Sequence, residues 1–175
     1  MEQYAHAPHA GGMDKSSLSS LRLHKKPGHA ALRRGRASVS GQRYLVTFTT
    51  YQRQPLFSNL ALALDAGKEI HDPRSWQKSM LLAWVLMPDH WHGLIELGEG
   101  ESLSSLLRVF KANVSRRIRV RWPETGPVWE KSFHDRALRK DEDAIAVARY
   151  LVLNPVRAGL VAKVGDYPFW NAVWL

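Results

Sequence analysis

The chain of 175 residues contains no cysteine. Disulfide frameworks and thiolate metal sites are therefore excluded, and nothing points to an oxidising compartment. No apolar run approaches the roughly 20 residues that a membrane-crossing helix needs. The opening stretch "MEQYAHAPHAGGMDKSS" lacks the apolar segment of a secretory signal. A soluble cytoplasmic protein is the expectation. Acidic residues are scarce beside basic ones, 16 against 25, which leaves a net charge of +9. A chain this basic expects an anionic partner, most often nucleic acid.

The excess charge is uneven. Residues 1–43 hold eight Lys and Arg against Glu2 and Asp14, whereas the other 132 residues hold seventeen against fourteen acids. A basic arm before a nearly balanced domain is a common nucleic-acid design, and a merely solubilising tail is the alternative. Residues 1–31 are rich in Gly, Ala, Ser, His and Lys without periodicity, which predicts a disordered basic segment. The domain is expected over 32–175. It opens with the arm "LRRGRASVSGQ" (32–42), whose Arg33, Arg34 and Arg36 can enter a groove or wrap a single strand.

Periodicity then marks the elements. "RYLVTFTTY" (43–51) alternates Tyr44, Val46 and Phe48 against Leu45, Thr47 and Thr49, which predicts a strand. "SNLALALDAGKEIH" (58–71) predicts a helix with Ser58 as its N-cap. "MLLAWVLM" (80–87) is apolar on both faces, like a central strand. A Pro-Asp turn leads into "HWHGLIEL" (90–97), its hairpin partner. "SLSSLLRVFKANVSRRIRV" (102–120) spaces Leu103, Leu106, Leu107, Phe110, Val114 and Ile118 as one helix face, with Arg108, Lys111, Ser115 and Arg119 opposite. "VWEKSFHDRALR" (128–139) is expected to be a fourth strand of ragged alternation. "DEDAIAVARYLVLN" (141–154) begins with acids that suit a helix dipole and ends where Pro155 disfavours continuation. The order β-α-β-β-α-β plus one C-terminal helix predicts an α+β, ferredoxin-like antiparallel sheet.

Two stretches carry candidate chemistry. In "MPDHWHG" (87–93), strand alternation sends His90 and His92 to one side and Trp91 to the other, so both imidazoles can ligate one ion. Gly93 is expected to leave room beside them for a ligand or another backbone. Two ligands make an incomplete site, so a plain surface strand stays open. In "ARYLVLNPVRAG" (148–159), Tyr150 and Asn154 share a helix face, away from a core stripe of Ile145, Ala148 and Val152. A phenol can act as a nucleophile and an amide oxygen can ligate a hard cation. An edge-packed Tyr and a helix-stopping Asn are the structural alternative.

Together, "MPDHWHG" and the downstream "RYLVLNPVRAGLV" resemble the HUH single-strand endonucleases, specifically the REP-associated tyrosine transposases. Trp91 is the hydrophobic member of the His-hydrophobic-His motif. "LRRGRASVSGQRYLVTFTTYQRQPLF", "WEKSFHDRALR" and "YPFWNAVWL" agree in register, so the resemblance covers 32–175. It implies that His90 and His92 bind Mg²⁺ or Mn²⁺, with Asn154 as third ligand. It further implies that Tyr150 is the nucleophile forming a 5′-phosphotyrosine link. The implied substrate is single-stranded or hairpin DNA of repetitive extragenic palindromes, bound by a monomer. A His-rich site without carboxylate also suits Zn²⁺, so the metal's identity rests on the resemblance. His134 and Asp135 read as a strand-end pair.

For DNA contact, Arg33, Arg34 and Arg36 are the arm candidates, and Arg108, Lys111 and Arg119 form either a phosphate track or an ordinary solvated face. The Trp-rich tail (Trp170, Trp174) can stack on bases or pack on the last helix. A non-catalytic RNA-binding module would need an RNP-type aromatic strand, and a zinc hydrolase a motif such as H-E-x-x-H; neither string occurs. A palindrome-binding relative that no longer cuts would not need all four motif residues.

Overall fold

The computed structural model describes residues 38–139 and 142–174. The segment 1–31 and the arm residues Arg33, Arg34 and Arg36 lie outside the described residues. Five strands form one antiparallel sheet in the order β4-β1-β3-β2-β5. They are β1 (Arg43–Thr49), β2 (Met80–Met87), β3 (His90–Glu96), β4 (His134–Ala137) and β5 (Trp170–Ala172). With helices α1 (Leu60–His71) and α2 (Leu103–Arg121), the first four strands make the expected β-α-β-β-α-β ferredoxin-like arrangement. Helix α3 (Ala144–Val152) follows β4, and a short α4 (Asn154–Arg157) follows directly. Among the described residues no helix is long and apolar enough to cross a membrane.

Strand alternation splits the core in two. Tyr44, Val46 and Phe48 of β1 join Trp91 and Ile95 of β3 against Leu106, Phe110, Val114 and Ile118 of α2. Ala83, Val85 and Met87 of β2 and Leu94 of β3 face the other way, packed with Ala144, Ala148, Leu151 and Val152 of α3. Helix α3 thus covers the sheet face opposite α1 and α2. Burial on both faces is why "MLLAWVLM" has no polar alternation.

Trp91 is the centre of the first core. Its ring stacks 4.9 Å from Phe48 and lies 5.4 Å from Phe110 and 6.0 Å from Trp76. The indole folds beneath its neighbour, and a Cβ built on Gly93 would overlap the Trp91 ring. Gly93 therefore leaves room for Trp91 rather than for the ligand or second backbone expected from the sequence. Gly93→Ala is expected to cost about 2 to 3 kcal/mol, because a ring held on several sides cannot retreat. Gly126→Ala, with nothing near its Cβ position, serves as the comparison, and urea unfolding of both variants measures the difference.

Several boundaries differ from the sequence reading. Asn59, not Ser58, caps α1, its side chain accepting from the Ala61 and Leu62 amides. Helix α3 begins at Ala144, capped by Asp143. Pro155 ends that helix but opens α4, where its missing N–H costs nothing. The expected strand over 128–139 pairs with β1 only through 134–137, plus one bridge between Thr50 and Trp129. Val128, Trp129 and Phe133 all turn into the Trp91 core. Those positions are not of one parity, so no flat strand can bury all three. The C-terminal tail supplies β5, pairing with β2 from Ala83 to Val85, which the sequence reading did not anticipate.

Candidate active site

The hairpin from β2 to β3 places His90 and His92 on the sheet face that α3 covers further along. Their cross-strand partners are Thr49 and Thr47 of β1 and Met87 and Val85 of β2. The imidazole centroids are 4.7 Å apart with the rings nearly perpendicular at 88°. Each Nδ1 is engaged. That of His92 lies 2.7 Å from Thr47 Oγ1, and that of His90 lies 2.5 Å from Asp89 Oδ1. Among the described residues Nε2 of neither ring has a hydrogen-bond partner. One nitrogen held and the other unengaged is what a metal-ligating histidine needs.

Asp89 is itself held in place. Arg53 donates to Asp89 Oδ2 at 3.1 Å, and Thr50 donates to the Asp89 carbonyl through its amide at 2.9 Å and its hydroxyl at 3.0 Å. Gln52 and Arg53 both adopt left-handed φ, 52° and 53°, a conformation that costs a non-glycine residue about 1 kcal/mol or more. The buried Thr50, whose one hydroxyl proton is shared between the Asp89 carbonyl and the Gln54 carbonyl at 2.7 Å, ties down the turn that brings Arg53 to the carboxylate. Although burial raises the Asp89 carboxyl, its hydrogen bonds to His90 and Arg53 hold it below the usual value. Burial lowers the His92 imidazole to about 4, helped by the positive potential of His90 and Arg157. His92 is consequently neutral near pH 7, the form that ligates metal.

Helix α3 buries Ala144, Ala148, Leu151 and Val152, which turns Tyr150 outward and leaves it 60% exposed. The Arg157 guanidinium lies 3.9 Å from the Tyr150 ring centroid, and the same charge reaches His92. Asn154 turns back, its Nδ2 donating to the Leu151 carbonyl at 2.7 Å, which leaves its Oδ1 as an oxygen donor. Two adjacent imidazoles suit a divalent ion that keeps open coordination positions. No group of three or more His, Cys, Asp and Glu suited to a metal occurs among the described residues. A closed zinc centre of that kind is thus not formed there.

The α2 stripe does not join this constellation. Arg108 and Arg119 are exposed on a helix that packs against the opposite face of the sheet. Lys111 turns inward. Its ammonium donates to the Glu130 and Ser132 carbonyls at 2.9 and 2.8 Å and sits 4.4 Å from the Phe48 ring centroid. It clamps the 130–132 segment to α2, a task the helical spacing alone does not reveal. His134 pairs with Thr47 across β1 and β4, so it shares the histidine face, one strand further out.

Arg157 is the site residue that the sequence reading missed. Seven residues on a continuous helix span about 10.5 Å of axis, too far for ring stacking with Tyr150. The break at Leu153 and the new turn begun at Pro155 bring Arg157 back. "NPVR" directly after a tyrosine helix was the available signal.

A ferredoxin-like sheet, with a His-x-His hairpin strand and a tyrosine helix on one face, defines a protein of the transposase type. The family described as "Transposase IS200 like" matches residues 38–152, and the chain belongs to that family. It is 32% identical over 88 residues to the REP-associated tyrosine transposase of Escherichia coli (strain K12), covering 50% of each chain. The chain thus spans about half the length of the curated relatives it matches. It also superposes on the solved structure of a REP-associated tyrosine transposase bound to a REP hairpin, with a TM-score of 0.59 and 25% identity. That match covers 77% of this chain and 79% of the other. The resemblance read from the two motifs is borne out.

Proposed function

We propose that this chain is a metal-dependent single-strand DNA endonuclease and strand transferase that acts on palindromic hairpin DNA through a 5′-phosphotyrosine intermediate. One observation carries the reading. Two adjacent imidazoles, each with Nδ1 engaged, share a sheet face with the helix that exposes Tyr150. The hairpin substrate rests on the REP hairpin bound by the structurally similar transposase.

Tyr150 loses its phenolic proton to solvent, and its oxygen forms a bond to the scissile phosphorus. The bond from phosphorus to the 3′ oxygen breaks, and that oxygen takes up a proton as the free 3′-OH. A later attack by a DNA 3′-OH on the phosphotyrosine reverses these changes and joins strands. His90, His92 and Asn154 would hold Mg²⁺ or Mn²⁺, which when bound polarises the phosphate and offsets developing charge. Thr47 and Asp89 keep the two rings oriented for that task. Arg33, Arg34 and Arg36, with Arg108 and Arg119 on the far side of the sheet, are the proposed contacts to the flanking phosphates. Lys111 is excluded because its ammonium is already engaged. The protein would act as a cytoplasmic monomer on chromosomal DNA.

The test mixes the full-length protein with end-labelled hairpin DNA that carries a single-stranded foot, in Mg²⁺ or Mn²⁺. A labelled protein–DNA adduct that survives denaturation and disappears on proteolysis is the expected result. Tight hairpin binding with neither a nick nor an adduct would instead make the chain a non-catalytic palindrome-binding module of the same fold.

A further inference from the structure

We propose that Arg157 binds the scissile phosphate while its stacking positions Tyr150, an inference that rests on the reading of Tyr150 as the nucleophile. The phenol needs such support. Its ring is 60% exposed, and a solvated side chain samples several rotamers unless something holds it. The Arg157 guanidinium lies 3.9 Å from its centroid and supplies that contact.

The stacking also determines what Arg157 can still do. The guanidinium carbon lies over the ring, and a guanidinium carries a planar fork of N–H donors that can still bind an anion. Arg43, Arg53, Arg74, Arg117, Arg121 and Arg136 each spend their donors on a carboxylate. Among the described residues no carboxylate pairs with Arg157. Its position is also built rather than incidental. Pro155 is buried, α4 packs against β2, and the Arg157 amide donates to the Leu153 carbonyl at 3.0 Å. A short anchored turn thus holds a cation against the tyrosine.

A phosphodiester placed for attack by Tyr150 brings a negative charge into this space. Its two non-bridging oxygens match the guanidinium fork, and the interaction strengthens as attack proceeds. The bond changes are those already given, from the phenolic oxygen to phosphorus and from phosphorus to the 3′ oxygen. Arg157 neither gains nor loses a proton in them.

The experiment measures single-turnover adduct formation by the full-length wild type, Arg157→Ala, Arg157→Lys and Tyr150→Phe on one labelled hairpin. Arg157→Ala is expected to slow the adduct about 100-fold, the scale of losing one donor to developing charge. Arg157→Lys, which keeps the charge but loses the planar fork, should fall between Ala and wild type. Free guanidinium at tens of millimolar should restore Arg157→Ala by about tenfold or more, and sodium at the same ionic strength should not. A merely structural role would not respond to guanidinium. Thermal melting of the variants within a degree or two of wild type separates these effects from unfolding. An Arg157→Ala rate within threefold of wild type, or a loss that guanidinium does not repair, overturns the inference while leaving Tyr150 in place. Absence of any adduct with wild type overturns the nucleophile reading instead, and this inference with it.

Discussion

Tyr150→Phe is expected to bind hairpin DNA as tightly as wild type and to form no covalent adduct. The substitution removes one oxygen from a ring whose surroundings barely change. The side chain is 60% exposed, among the described residues no hydrogen bond depends on its hydroxyl, and phenylalanine still offers a face to Arg157. Stability should stay within about 0.5 kcal/mol of wild type. Cleavage should drop by at least about 10³-fold, the scale of deleting an essential nucleophile. Denaturing gels and filter binding with the same DNA read both quantities. A Tyr150→Phe protein that cuts at the same position and full rate would replace the phenol by a water nucleophile and reopen the zinc-hydrolase class.

The second large effect belongs to the histidines. Mn²⁺ is expected to raise the melting temperature of wild type, since a ligand that binds only the folded chain stabilises it by about 2.7 kcal/mol at a hundredfold excess over Kd. His90→Ala and His92→Ala should both lose that response and cleavage with it. Asn154→Ala should keep part of each, recovered by more Mn²⁺, because two imidazoles remain. His92 should also set a pH dependence without metal. His92 is buried, and burial together with His90 and Arg157 lowers it to about 4. An unfolded histidine takes its proton near 6.5, so the unfolded chain binds more protons between the two values. Metal-free wild type should therefore be fully stabilised above about pH 6.5 and weaken as the pH falls toward 4. His92→Gln should flatten that limb in pH-dependent chemical unfolding. A metal response in His92→Ala equal to that of wild type would remove the histidine from the ion site.

Particular residues show what could be read locally. Alternation of Tyr44, Val46 and Phe48 marked β1, and it also put His90 and His92 on one side of β3, because a strand repeats every two residues. The apolar spacing of Leu106, Phe110, Val114 and Ile118 marked the buried stripe of α2. The order of elements was enough for the ferredoxin-like sheet. All of these signals sit within short windows, where geometry follows from φ and ψ alone.

The missed features depend on residues distant in sequence. Lys111 looks solvated on a helical wheel, yet carbonyls near residue 131 draw its ammonium inward across the Phe48 ring. The short β5 became a strand only because β2 offered an unpaired edge. Composition and motif spacing by themselves determined that the chain is a basic, cysteine-free α+β domain with a His-x-His hairpin and a tyrosine helix. Only the tertiary structure decided that α3 crosses to the histidine face, that Trp91 fills the space above Gly93, and that a break at Pro155 carries Arg157 onto Tyr150. Those outcomes depend on which buried faces find partners, and a partner's position is not encoded in the local period of either segment.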